Sequence, residues 1–354
     1  MSTRARERNR LATSPVSPRI PLLVTGLGLI GVILVSTAIG PADLPISTVA
    51  SVLFSHVPFI HFHSSASAVS QAIVWEVRLP RVVLGGIVGA MLAAGGASYQ
   101  GVFRNPLADP YLLGIAAGAG LGATIVIVAN GGSTSWLPVV AFAGGAAAVS
   151  LTYVVGARFG GRSSGTSIVL AGVAVAALFT ATQTFLQQQH AQDLQTVYSW
   201  ILGSLSVATW SDVWLILPYA IVSAAALLMH RRLLDVLRLS EEEVASLGVN
   251  PARVRLAVVA AATLGTAAAV SVSGLIGFVG IIVPHLVRLT TNASYRVVLP
   301  VSMVGGAAFL ILADLVARTV ESPAEVPLGV ITAFVGGPFF IFVLRSRRAH
   351  QGVL

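Results

Sequence analysis

The sequence predicts an all-α membrane protein with ten transmembrane helices. Three observations predict it. The 354 residues are 55% hydrophobic and only 10% charged, with a mean hydropathy of +0.87. A soluble domain of this length would carry far more charge. Apolar segments recur near 21–40, 82–103, 111–130, 136–157, 167–189, 210–229, 254–273, 274–290, 298–318 and 326–344. Each is about long enough to cross a hydrocarbon core, which takes roughly 20 helical residues. The 21 basic residues are all arginine. Threading the chain with its N-terminus inside leaves all but Arg78, Arg81 and Arg318 on the inner side, and arginine excess marks the cytoplasmic face.

Residues 1–20 form a basic inner tail, 21–345 the membrane domain, and 346–354 a second inner tail. Arg4, Arg6, Arg8 and Arg10 precede the first apolar run. That run has no small-residue cleavage site and reads as a retained first span, not a cleaved signal. The segment 41–77 is the longest outer connection and carries His56, His61 and His63. No carboxylate or cysteine stands beside them at ligand spacing, so a solvated loop is favoured over a metal site.

Spans two to five start by running inward and spans seven to ten outward, as an inverted repeat would. The fifth span holds Gln183 and Gln187, four residues apart and so on one helix face. Polar groups facing lipid are costly. The pair therefore lines the protein interior or a wet cavity, as pathway residues would, or else caps the outer end of the span at the headgroups. The segment 190–209 is amphipathic and too polar to span, so it reads as a short helix on the outer surface. Residues 254–290 are one apolar stretch with arginines at both ends, which requires an even number of crossings. Gly274, Gly277 and Gly280 supply the reversal.

The inner connection 230–255 is the largest. Ser240 with Glu243 makes a capping box, and Gly248 fits a helix stop. Asn250 and Pro251 fit the N-cap and first position of a second helix. The loop thus predicts two short exposed helices, which either order the connection or dock a cytoplasmic motor.

Composition also excludes chemistry. A net charge of +8 and a pI near 10.9 reflect arginines in short loops, which orient the chain and meet lipid; no nucleic-acid partner is implied. There is no cysteine, hence no disulfide and no thiolate. Without lysine there is no P-loop. The spans hold almost no acids of the kind an ion relay needs, and Asp314, four residues before Arg318, fits a local ion pair. No catalytic constellation, metal site or resident cofactor is present. The chain reads as a conduit driven by something else.

Several motifs then occur in order: RLPR (78–81), GASYQGVFRNPLADPYLLGIAAGAGLGA (96–123), TSIVLAGVA (166–174), SLGVN (246–250), GLIGFVGIIVPHLVR (274–288), VLPVS (298–302), ADLVAR (313–318) and AEVPLGVITAFVGGPFFIFVLR (324–345). Together they resemble the FecCD family of ABC permeases, the type II importers of ferric siderophores, haem and cobalamin. The resemblance spans 76–345 and gives the outer histidines no place. It implies ten helices in each of two permease copies, a dimer of ABC ATPase subunits that carries the ATP and Mg, and an extracytoplasmic substrate-binding protein. Ser240, Glu243, Ala245, Leu247, Gly248, Asn250 and Pro251 would couple to the ATPase. Arg78, Arg81 and Arg318 would receive acidic residues of the binding protein, or alternatively anchor to headgroups or pair with Glu76 and Asp314. Thr166 and Ser167 would form the cytoplasmic gate. The expected protein is a multi-pass permease of the cytoplasmic membrane, a homodimer with both termini inside, carrying a ferric siderophore. Haem or cobalamin is the alternative cargo, and an ion-coupled transporter is the rival from another class.

Overall fold

Every regular element among the described residues is helical. The computed structural model describes residues 19–40, 44–56, 66–130, 135–159, 165–291 and 294–351. In chain order the helices are α1 (Arg19–Ala38), α2 (Ile46–Ser55), α3 (Ala68–Ala72), α4 (Leu79–Val102), α5 (Ile115–Asn130), α6 (Leu137–Phe159), α7 (Gly165–Gln189), α8 (Leu194–Ile201), α9 (Trp210–Val236), α10 (Glu241–Ser246), α11 (Pro251–Ser273), α12 (Val279–Thr290), α13 (Tyr295–Ala317) and α14 (Leu328–Gln351). A π-helical turn, Ile73–Arg78, joins α3 to α4.

Seven of these helices, α3 and α4 counted as one, are long and apolar enough to cross a membrane. Each of the ten apolar segments contains one helix. Two of them, however, are short: α5 has 16 residues and α12 has 12. The apolar part of α14 ends at Val343. The amphipathic segment 190–209 supplies α8, only eight residues long. His56 ends α2 and stacks on Trp75 at 3.7 Å, whereas His61 and His63 lie outside the described residues.

The core is built around α4, which is buried on nearly every face. Small residues let its neighbours approach at backbone distance, the usual basis of helix packing in lipid. A Cβ on Gly96 would collide with the backbone of Gly280 in α12. Tyr99 of α4 meets the hydroxyl of Thr263 in α11 at 2.9 Å. By contrast α1 buries only Ser36 and Thr37, at its C-terminal end.

Two boundaries differ from the sequence reading. The inner connection predicted at 230–255 is shorter, because α9 continues to Val236. The second short helix predicted after Asn250 is the first turn of the 23-residue α11, since no breaker follows Pro251 for six turns. The reversal in 254–290 falls at Gly274, with φ of +69°. Gly280 is not part of it; it sits in α12, where it admits Gly96.

Candidate functional site

Three interruptions of helix meet in one place. They are the end of α8, the α11–α12 break and the start of α14. Backbone freed there must find partners, because lipid offers none. The Ser204 amide donates to Ser273 O at 2.9 Å, the Leu328 amide to Gly203 O at 3.0 Å, and the Gly329 amide to Leu202 O at 2.9 Å. Tyr111 closes the α11–α12 break. Its hydroxyl donates to Ile276 O at 2.9 Å and accepts from the Ile276 amide at 3.0 Å. Phe278 begins α12 with φ of +69°, unusual for a residue with a side chain.

Beside this junction opens a cleft of about 580 Å³. Ile201, Leu202, Leu275, Phe278, Val330 and Phe334 line it, and no ionisable side chain does. Sequence reasoning assigned none of these residues individually. The available signal was the glycine-punctuated break at 274–280, whose backbone must line a cavity or protein rather than lipid.

Gln183 and Gln187 are not among the lining residues. They are buried, 8% and 9% exposed, and the Gln183 amide packs over Gly120 of α5. The pair therefore lies in the interior of the chain rather than at an exposed helix end.

At the start of α4 lies a charge cluster. Arg81 holds Asp314 through Nε at 2.9 Å and Nη2 at 2.8 Å, and it reaches Glu325 through Nη1 at 2.7 Å. Arg318 stands 3.8 Å from the same Asp314, which is an ion pair without a hydrogen bond. Arg78 donates to Thr37 O at 2.9 Å and Ala38 O at 2.7 Å. Arg318 donates to Ser36 O and, at 2.7 Å, to Ser36 Oγ. These are the terminal carbonyls of α1, which have no partner within their own helix. Two guanidiniums therefore cap α1 and fix it to the body. The three arginines are 4%, 8% and 5% exposed. All three are held by groups of this chain. The alternative pairing of Arg81 and Arg318 with Asp314 is what the structure shows.

The coupling segment takes the local form its residues dictate. Ser240 Oγ accepts from the Glu243 amide at 3.2 Å, and the Ser240 amide donates to Glu243 Oε2 at 2.9 Å. These bonds hold the Glu243 carboxyl below its ordinary range. Val244 is buried and anchors α10. Glu243, Ala245, Leu247, Gly248 and Asn250 are exposed. Gly248 turns the chain with φ of +74°, in open space. Asn250 caps α11 by accepting from the Arg253 amide at 3.2 Å, with Pro251 in the first turn. At the start of α7, Thr166 is exposed and Ser167 half-buried.

Interrupted helices around an apolar cleft, with an exposed capped turn on the chain between two long helices, fit a membrane-transport permease. The chain belongs to the FecCD transport family, whose model matches residues 28–346. It is 39% identical to the cobalamin import system permease protein BtuC of Halobacterium salinarum, over 92% of this chain and 95% of that protein. It is 40% identical to the hemin transport system permease protein HmuU of Yersinia pestis, over 79% and 85%. Among solved structures, a metal-chelate type ABC transporter in an inward-facing conformation superposes with a TM-score of 0.81. It is 31% identical and covers 93% of this chain and all of that one. The chain is thus a multi-pass permease of an ABC importer class whose members carry iron chelates, haem or cobalamin.

Proposed function

We propose that two copies of this chain form the conduit of an importer that brings a bulky metal chelate across the cytoplasmic membrane. A separate dimeric ATPase powers it and an extracytoplasmic binding protein feeds it. All ten apolar helices cross the bilayer in this reading, and both termini face the cytoplasm. The observation that carries it is the apolar cleft at the junction of three interrupted helices. A wall without charge presents few fixed partners to a large cargo, so the cargo can leave as readily as it enters.

The cleft also bears on the cargo. The sequence alone points to a ferric siderophore, with haem or cobalamin as the alternative. The apolar lining suits the broad faces of a tetrapyrrole, whereas near full-length similarity extends both to a cobalamin permease and to a ferric hydroxamate permease. On the inner side α10 and Gly248 contact the ATPase, and Thr166 with Ser167 narrows the exit. On the outer side the binding protein docks near Arg78, Arg81 and Arg318. Its carboxylates engage Arg78 and Arg318 where the end of α1 yields its carbonyls, and Arg81 where they displace Glu325.

Proteoliposomes containing the permease, its ATPase and its binding protein would test the whole reading. Uptake of labelled cobalamin, haem or a ferric siderophore should require all three components and ATP. Uptake by the permease alone, driven by an ion gradient, would overturn it. Transport confined to a siderophore would restore the first cargo expectation.

A further inference from the structure

At the far end of α4 from the Arg81 cluster is a second cleft, of about 290 Å³. Gln100, Arg104, Pro106, Arg238, Arg288 and Tyr295 line it. Three arginines from three segments thus converge on one space: just beyond α4, just beyond α9, and in the last turn of α12.

Two of these guanidiniums are held in place by neutral groups. Arg104 donates through Nε to Leu237 O at 2.7 Å, and through Nη2 to Leu239 O. Its backbone sits in the left-handed region, φ +49°, a strained position for a side-chain-bearing residue. Arg288 donates to Gln100 Oε1 through Nη1 and to the Tyr295 hydroxyl at 3.2 Å through Nη2. Gln100 is itself fixed, since its Nε2 donates to Gly280 O at 3.0 Å. The amide oxygen is therefore the group left to face Arg288. Neither Arg104 nor Arg288 has a carboxylate within ion-pair distance among the described residues. Asp235 is turned to the backbone side of Tyr295, where it accepts from Ser294 Oγ at 2.7 Å and from the Tyr295 amide at 2.8 Å.

Neutral partners orient Arg104 and Arg288 without neutralising them, so both guanidinium charges remain at the cleft. Guanidinium forks match the oxygens of a phosphate better than a point charge does. We infer that this cleft is a binding site for a phosphate group, carried either by an acidic phospholipid headgroup or by a free phosphate anion. The volume admits a phosphate with a short substituent. The arginine sorting places the cleft at the inner leaflet, where acidic lipids attract basic segments. The bound anion would join α4, α9 and α12 just ahead of the α10 turn. The site is independent of the cargo, and its test uses no transport assay.

The full-length chain would be placed in nanodiscs of phosphatidylcholine alone or of phosphatidylcholine with phosphatidylglycerol. Native mass spectrometry would count retained lipid, and thermal unfolding would be followed as inorganic phosphate is added. Arg238→Gln should weaken retention or the phosphate-dependent shift roughly tenfold, the loss expected for one charge-assisted contact. Arg232→Gln, an equal charge change on the exposed face of α9 outside the cleft, should leave both intact. Arg288→Lys keeps the charge but loses the fork, so it should fall between wild type and Arg238→Gln. Loss confined to phosphatidylglycerol identifies a headgroup site, and loss of the inorganic phosphate effect identifies a free-anion site. Equal behaviour of Arg238→Gln and Arg232→Gln in both arms overturns the inference. So does a loss of ATPase co-purification with unchanged lipid and phosphate binding, which would make the cleft a protein contact.

Discussion

At the scale of single residues, the charges at the start of α4 dominate the energetics. Asp314 is 1% exposed and has two arginines against it. Removing one partner of a buried pair leaves the other charge without compensation, at a cost of about 3–5 kcal/mol. Arg81→Ala should therefore lower the unfolding free energy by less than that amount, because Arg318 still stands 3.8 Å from Asp314, with a fall in thermal midpoint measured in detergent. The double variant Arg81→Ala with Asp314→Asn should not recover the loss, because it also takes the carboxylate from the buried Arg318. Arg78 and Arg318 act differently, as caps on α1. Arg78→Glu with Arg318→Glu should weaken binding-protein docking. It should also expose the end of α1, so a cysteine at Ser36 would become reactive to a water-soluble thiol reagent. The native chain has no cysteine to obscure the signal. Weaker docking with Ser36 still protected would show that docking and capping use separate contacts.

At the scale of elements, the α10 turn depends on backbone conformation more than on space. Gly248 has positive φ and no neighbour that an added Cβ would meet. Asparagine tolerates this region and valine does not. Gly248→Asn should retain most ATP-driven uptake, whereas Gly248→Val should lose most of it while inserting normally. Similar uptake by the two variants would remove the turn from the coupling mechanism.

The short helix Pro110–Leu113 ahead of α5 offers a pH readout. Its N-cap, Asp109, accepts from the Tyr111 amide at 2.8 Å. Burial pushes the Asp109 carboxyl up from 3.8 to about 6, with the Tyr111 amide opposing. A raised folded-state value means the group favours the fold at low pH. Its contribution is complete below 3.8 and is lost as pH rises through about 6. Asp109→Asn should keep the cap and flatten this part of the stability profile between those values. An unchanged profile from thermal unfolding across the range would place the titration elsewhere.

At the scale of the whole molecule, one chain presents the apolar cleft with Phe334 74% exposed at its wall. A second copy across this face would complete an enclosed pathway. Phe334→Cys should then form a disulfide-linked dimer in membranes under oxidation, and a cysteine at Leu23, exposed on α1 away from the cleft, should not. Equal cross-linking at both positions would indicate random collision rather than a paired interface.

Much of this protein is legible without coordinates, because the physics involved is local. Ten apolar runs and one-sided arginines predict a multi-pass helical protein, and the helices appear inside every run. The capping box at Ser240 and Glu243, the turn at Gly248 and the cap at Asn250 obey short-range rules, and each forms as its residues require. Even the break in 254–290 is announced by its glycines. What only the tertiary structure decided is which polar groups meet across distant parts of the chain. Gln183 turned out to face α5 and not the cleft. Arg78 and Arg318 found the carbonyls of a helix about 40 and 280 residues away. Charge sorting could place those arginines on a side of the membrane but could not reveal that they are buried. The physical reason is that a helix end leaves carbonyls unbonded, and only packing determines whether water, lipid or an arginine satisfies them.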